Sequence, residues 1–160
     1  MLLLLVLSTT ALVAQKKEKI KGSKIVTTER REIDNFQELV IEDNLEVHLE
    51  RGEKAEVKIE ADENLHQIIS LEQYNKTLRI FTTQLASSYK KMIIRVTYTA
   101  DLNLISSKNE SSINAIQELL LDKFTINAFD SSKLFINSNV KNFVLQAGDK
   151  SKMELNIKSE

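Results

Sequence analysis

The stretches "SKNESSINA" (Ser107–Ala115), "AFDSSKLFI" (Ala128–Ile136) and "AGDKSKMEL" (Ala147–Leu155) share few residues, yet their odd positions carry one pattern. Each runs small, x, Asn or Asp, x, Ser, x, apolar, x, apolar. The copies begin 21 and then 19 residues apart. A unit of that length cannot close a core alone, whereas stacked copies bury a continuous one. Apolar residues at period two belong to strands. The repeat therefore predicts a parallel β-solenoid, its coils made of short strands and tight corners. Ile113 and Ala115, Leu134 and Ile136, Met153 and Leu155 would stack inward, with Ile105, Ile126 and Leu145 ahead of each motif. Asn109, Asp130 and Asp149 fall at the corners, where these residue types tolerate a left-handed backbone. Ser111, Ser132 and Ser151 stand where a hydroxyl can bond a turn amide.

Upstream of the copies the pattern is also β. "NLEVHLE" and "AEVKIEA" alternate, with "RGEK" between them, which predicts a hairpin turning at Gly52. Leu45, Val47, Leu49, Val57 and Ile59 would face inward. "DENLHQIIS" places Leu65, Ile68 and Ile69 at helical spacing after a capping Asp62, so one short helix is expected. "LEQYNKTLRIF" predicts a second hairpin with "NK" at its tip, and "MIIRVTYTA" a further strand.

At 160 residues the chain has the length of one domain. Its 22 basic and 23 acidic residues balance, so nothing global argues for nucleic acid. Cys is absent, which removes disulfides and thiol chemistry, and three glycines are too few for phosphate-cradling loops. The apolar run "MLLLLVLSTTALVAQ" has the length of a signal-peptide core, with cleavage expected after Ala14. No Lys or Arg precedes it, so a basic n-region is expected upstream of Met1; a buried N-terminal helix is the other reading. Residues 15–24, with Lys16, Lys17, Lys19, Lys21 and Lys24, are expected to form a flexible basic linker, and residues 25–160 one solenoid-like head domain.

The segments "REIDNFQELVIEDNLEVHLERGEKAEVKIEADENLHQII" and "VTYTADLNLISSKNESSINA", with the two later copies, resemble the bacterial head-GIN-domain family, whose members are labelled autotransporter adhesin heads. The resemblance covers about Gly22 to Ile157. It implies a right-handed β-helix-like fold and an exported protein: periplasmic, on the outer-membrane surface or extracellular. Family corners are Gly- and Ser-rich, whereas here only Gly148 stands at one. The copies end at "NIKSE", close after the third. Three outcomes are open there: the last strand is shielded by Lys152, Glu154 and Lys158, the end packs on another copy, or the chain continues.

No catalytic or metal-binding set and no cofactor emerges. Glu46, His48 and Glu50 share a strand face, but same-face neighbours lie nearly 7 Å apart, which suits a solvated surface better than a metal. His66 has no partner evident in the sequence. Asn109, Asp130 and Asp149 form a column one coil apart, short of the six or more oxygens that calcium takes. Phe124 and Phe143 match between copies and point to the core; Phe129 and Phe135 fall at outward positions and suggest a binding patch. The function expected is a non-catalytic, adhesin-like module presenting a strand face to a glycan, an envelope protein or another copy. The alternatives are a carbohydrate-active β-helix enzyme using outward acids and a self-assembling structural protein.

Overall fold

A computed structural model describes residues 16–115 and 117–158. The run taken as a leader lies outside them. The strands are β1 (Lys19–Lys21), β2 (Val26–Glu32), β3 (Glu38–Ile41), β4 (Glu46–Arg51), β5 (Glu56–Asp62), β6 (Ile69–Tyr74) and β7 (Thr77–Thr82). They continue as β8 (Leu85–Ser87), β9 (Met92–Tyr98), β10 (Leu104–Ser107), β11 (Ser112–Ala115), β12 (Leu119–Ala128), β13 (Lys133–Ala147) and β14 (Lys152–Lys158). One 3-10 helix, Glu63–Ile68, joins β5 to β6.

Two parallel ladders organise the core. One runs β7, β3, β10, β12 and the end of β13; the other runs β9, β4, β11, the start of β13 and β14. Like residues stack along them, as the repeat predicts. Leu78, Leu39, Ile105, Ile126 and Leu145 form one inward row; Ile94, Val47, Ile113, Leu134 and Met153 form another. The first four members of each row are fully buried, each worth about 1.5–3 kcal/mol of transfer free energy.

The sheet as a whole is mixed and curls into a half-barrel, not the uniform parallel β-helix expected. Its antiparallel pairs all precede the repeated copies: β2 pairs β5, β5 pairs β9, and β6 pairs β7. The β6–β7 hairpin turns at Asn75 and Lys76, both with positive φ, as its "NK" tip requires. The hairpin expected between β4 and β5 does not form. Strand β9 lies between them, parallel to β4 and antiparallel to β5. Alternation fixes which face a strand buries but not which neighbour it takes. Gly52 accordingly makes no left-handed turn. Its amide donates to Tyr98 O at 2.9 Å, and a Cβ there would stand 2.5 Å from Thr97 Cγ2. It is small so that β9 can come in.

The corners have the φ signature of type I′ turns. Asn109 and Glu110 have φ of 53° and 66°, Asp130 and Ser131 53° and 64°, Asp149 and Lys150 50° and 64°. Ser111, Ser132 and Ser151 amides close the turns onto Lys108, Phe129 and Gly148 carbonyls. The serine hydroxyls do something other than expected. Buried Ser111 Oγ lies 2.6 Å from Ser107 Oγ and 3.3 Å from Ile41 O, so it bonds the neighbouring strand and not a turn amide. Buried Ser132 Oγ has no partner among the described residues.

Asp62 does not cap the 3-10 helix with its side chain. Fully buried, its carboxylate instead accepts the amides of Lys24, Lys90 and Lys91 at 2.8–3.1 Å. That bond set reaches into the segment expected to be a flexible linker. There Lys19–Lys21 is a strand paired parallel with Leu85–Ser87, and Asn64 Nδ2 donates to Lys21 O. Burial alone would push the Asp62 pKa up, but the three amides outweigh it and hold it below the usual carboxylate value.

Asp62→Ala removes the buried acceptor of three part-buried amides and should cost about 3 kcal/mol in urea unfolding at neutral pH. Because the folded pKa is depressed, the stability from this carboxylate is complete above the unfolded value of about 3.9 and drains as pH falls through the folded one. Asp62→Asn should therefore start less stable at pH 7 and lose less than wild type on acidification to about pH 2. At the corner, Asp130→Val should cost about 1–2 kcal/mol, while Asp130→Asn stays within about 0.5 kcal/mol, because the demand is for left-handed backbone and not for charge. Equal losses for both variants would refute it.

Candidate binding surface

Alternation that sends Val47, Ile113, Leu134 and Met153 inward turns their neighbours out. Across β9, β4, β11, β13 and β14 one outward row reads Arg95, His48, Asn114, Phe135, Glu154. The next reads Ile93, Glu46, Ser112, Lys133, Lys152. The β4 and β9 part of this surface is paired polar groups. Glu46 Oε1 lies 2.8 Å from His48 Nε2, and Glu50 accepts from Arg95 Nη1 at 2.9 Å. The Glu46, His48 and Glu50 side chains are thus engaged with partners on the face itself, Glu46 with His48 and Glu50 with Arg95. Phe135 is the exception, 45% exposed in a row of polar residues.

Phe129 has a different position. It stands on the far side of the Asp130–Ser131 corner, half-buried, and a Cβ on Gly148 would come 3.3 Å from its ring. Its ring rests near the glycine of the next copy, whereas Phe135 stands in solvent. Phe124 is buried, and its ring centroid lies 6.2 Å from that of half-buried Phe143.

Asn109, Asp130 and Asp149 are exposed on the corner edge. Among the described residues no three His, Cys, Asp or Glu side chains are placed to hold a metal ion. The column has a fourth member that the pattern conceals. Asp43, φ 64°, stands at the bend between β3 and β4, in register with the other corners but as the one left-handed residue there. Its carboxylate accepts from the Thr82 amide at 2.8 Å and from Lys17 Nζ at 2.6 Å.

Beside the outward rows runs a groove of about 380 Å³, lined among others by Tyr89, Lys90, Glu46, Glu110, Ser112 and Lys133. Tyr89 and Lys90 come from the loop between β8 and β9, which carried no signal in the sequence because nothing local marks its position over β4 and β11. His66, for which the sequence shows no partner, has one hydrogen-bond partner, Thr27, and a carboxylate near its other ring nitrogen. Its Nε2 is 2.9 Å from Thr27 Oγ1 and its Nδ1 3.2 Å from Glu29 Oε2. Arg31 donates to Glu29 and to the carbonyls of His66 and Ile69, tying β2 to the end of the 3-10 helix. That hydrogen bond from Arg31 holds the Glu29 carboxyl below its ordinary value.

Solved structures share this fold. An adhesin-described protein from Parabacteroides merdae superposes with a TM-score of 0.78 at 19% identity, covering 89% of this chain and 61% of its own. Another from Parabacteroides distasonis gives 0.77 at 17%, with coverages of 86% and 59%. A protein from P. distasonis described as lipid-binding gives 0.67 at 16%, with 86% and 63%. The chain thus spans about three-fifths of the length of these structures. Comparison with curated proteins finds no match. The family model described as "Putative auto-transporter adhesin, head GIN domain" matches residues 35–159, and the chain belongs to that family.

Proposed function

We propose that the protein is a non-catalytic, adhesin-like binding module of the cell envelope or cell exterior, and that it holds a glycan on the outward face of β4, β11, β13 and β14. The observation that carries this is Phe135, exposed on a flat polar face between Asn114 and Glu154. An aromatic ring held in solvent by a rigid strand loses little entropy on contact and offers a sugar's C–H face a platform. Asn114, Lys133 and Asn137 beside it supply hydroxyl-bonding groups of both kinds. The adjoining groove extends the same surface toward Tyr89.

Two finer features complete the proposal. The stacked copies act as a solenoid-like support that keeps the outward rows in register. Export is supported by the apolar run at the N-terminus and by the adhesin descriptions of the family and of its solved members. Those descriptions name adhesion or lipid binding and not catalysis.

A glycan array probed with the labelled protein should retain one class of sugar. Phe135→Ala should weaken that binding about tenfold or more, by loss of stacking. Its melting curve should match wild type, since the ring leaves no cavity when removed. Equal retention of both proteins would place binding elsewhere, and an empty array would remove the glycan.

A further inference from the structure

The groove beside the outward rows carries more positive charge than its carboxylates neutralise. Its floor is the second outward row, Ile93, Glu46, Ser112 and Lys133, one residue each from β9, β4, β11 and β13. Its wall is Tyr89, Lys90 and Lys91, the approach to β9. Lys91 pairs with Glu60 at 2.8 Å, and Glu46 with His48 at 2.8 Å. Lys90 and Lys133 are exposed and form no ion pair among the described residues. Against them the groove sets a single carboxylate, that of Glu110 at the corner.

Both lysines stand on fixed backbone. The amides of Lys90 and Lys91 donate to the buried Asp62 carboxylate at 3.0–3.1 Å. Behind them a Cβ on Gly22 would stand 2.6 Å from Tyr89 Cβ, so the wall is clamped by β5 and by the segment after β1. Lys133 begins β13, in register with Ser112 on one side and Lys152 on the other. Like charges side by side on strands ~4.8 Å apart repel. An anion laid along this row relieves that repulsion.

Phe135 narrows the kind of anion. It follows Lys133 by two residues on the same face, about 7 Å along the strand. A ligand that covers the ring and also meets the lysine needs an apolar face and a negative group within that span. A free phosphate has no such face, and a neutral hexose has no charge. A hexuronate has both: the C–H face of its ring, and a carboxylate that leaves the ring edge close to the ring plane.

We infer that the groove is a subsite for a hexuronate residue, its ring on Phe135 and its carboxylate turned into the groove toward Lys133 and Lys90. The inference rests on the glycan reading above and names the class of sugar. Tyr89 and Ser112 line the same groove, and their hydroxyls can both donate to and accept from those of the sugar. An ammonium–carboxylate hydrogen bond is among the stronger ones a face of this kind can offer.

The test is calorimetric titration of the full chain, expressed with its N-terminal run so that any processing takes place. The probes are oligomers of galacturonate, glucuronate and mannuronate, each beside its methyl ester, which keeps the shape and removes the charge. One acid should bind about tenfold or more tighter than its ester, and added salt should weaken the acid alone. Lys133→Ala and Lys90→Ala should each bring the acid toward the ester, while Glu110→Gln should tighten it. All three side chains are exposed, so melting curves should match wild type; Lys133→Gln or Lys90→Gln serves where the alanine variant folds poorly. Acid and ester bound equally, acid binding that neither lysine variant changes, or a neutral sugar alone retained through Phe135 would overturn the hexuronate and leave the glycan reading standing. No heat from any oligomer together with an empty glycan array would remove both.

Discussion

The structure depends on the return of the chain at one corner. Two successive residues in the left-handed region close a four-residue turn, and its length sets the register of the strands that follow. The corners are also bonded to one another: the Glu110 amide donates to Asp130 O and the Ser131 amide to Asp149 O. Each turn therefore fixes the height of the next. A slip of one residue would carry Leu134 and Ile136 to the solvent face and Phe135 to the core. Left-handed backbone costs most side chains about 1–2 kcal/mol, which is why Asn or Asp opens every one of these turns.

The repeated half was legible because those corner residues and the alternation around them are local signals. Asp43 was not, although it stands in register with them. At its corner Ile41 and Leu45 replace the small residue and the serine, and Asp43 is the one left-handed residue there, so both the pattern and the two-residue turn are lost while the register persists. The insertion of β9 between β4 and β5 was illegible for a different reason. Two alternating segments joined by "RGEK" have a local solution in a hairpin, and the longer-range solution depends on Met92, Ile94, Val96 and Tyr98, which come from far along the chain.

The candidate surface was legible in the same uneven way. Phe129 and Phe135 look equivalent in sequence, both outward by parity. What separates them is one residue of the neighbouring copy: Gly148 makes room for the Phe129 ring, while Phe135 has polar neighbours in its row. Asp62 shows how misleading a local signal can be. It precedes a helix and looks like a cap, yet its carboxylate joins β5, the start of the chain and the approach to β9. A buried anion with three amide donors is a stronger bond set than a solvent-exposed cap.

A ladder of this kind separates stability from recognition. On each strand one parity carries the core and the other carries the surface, so residues such as Asn114, Phe135 and Glu154 can change without touching Ile113, Leu134 or Met153. The family relationship is consistent with that division. The fold is kept where sequence identity is low, because it asks only for inward alternation and for corners that tolerate left-handed backbone. The outward rows can then differ between members at little cost to the core, which asks nothing of them but parity.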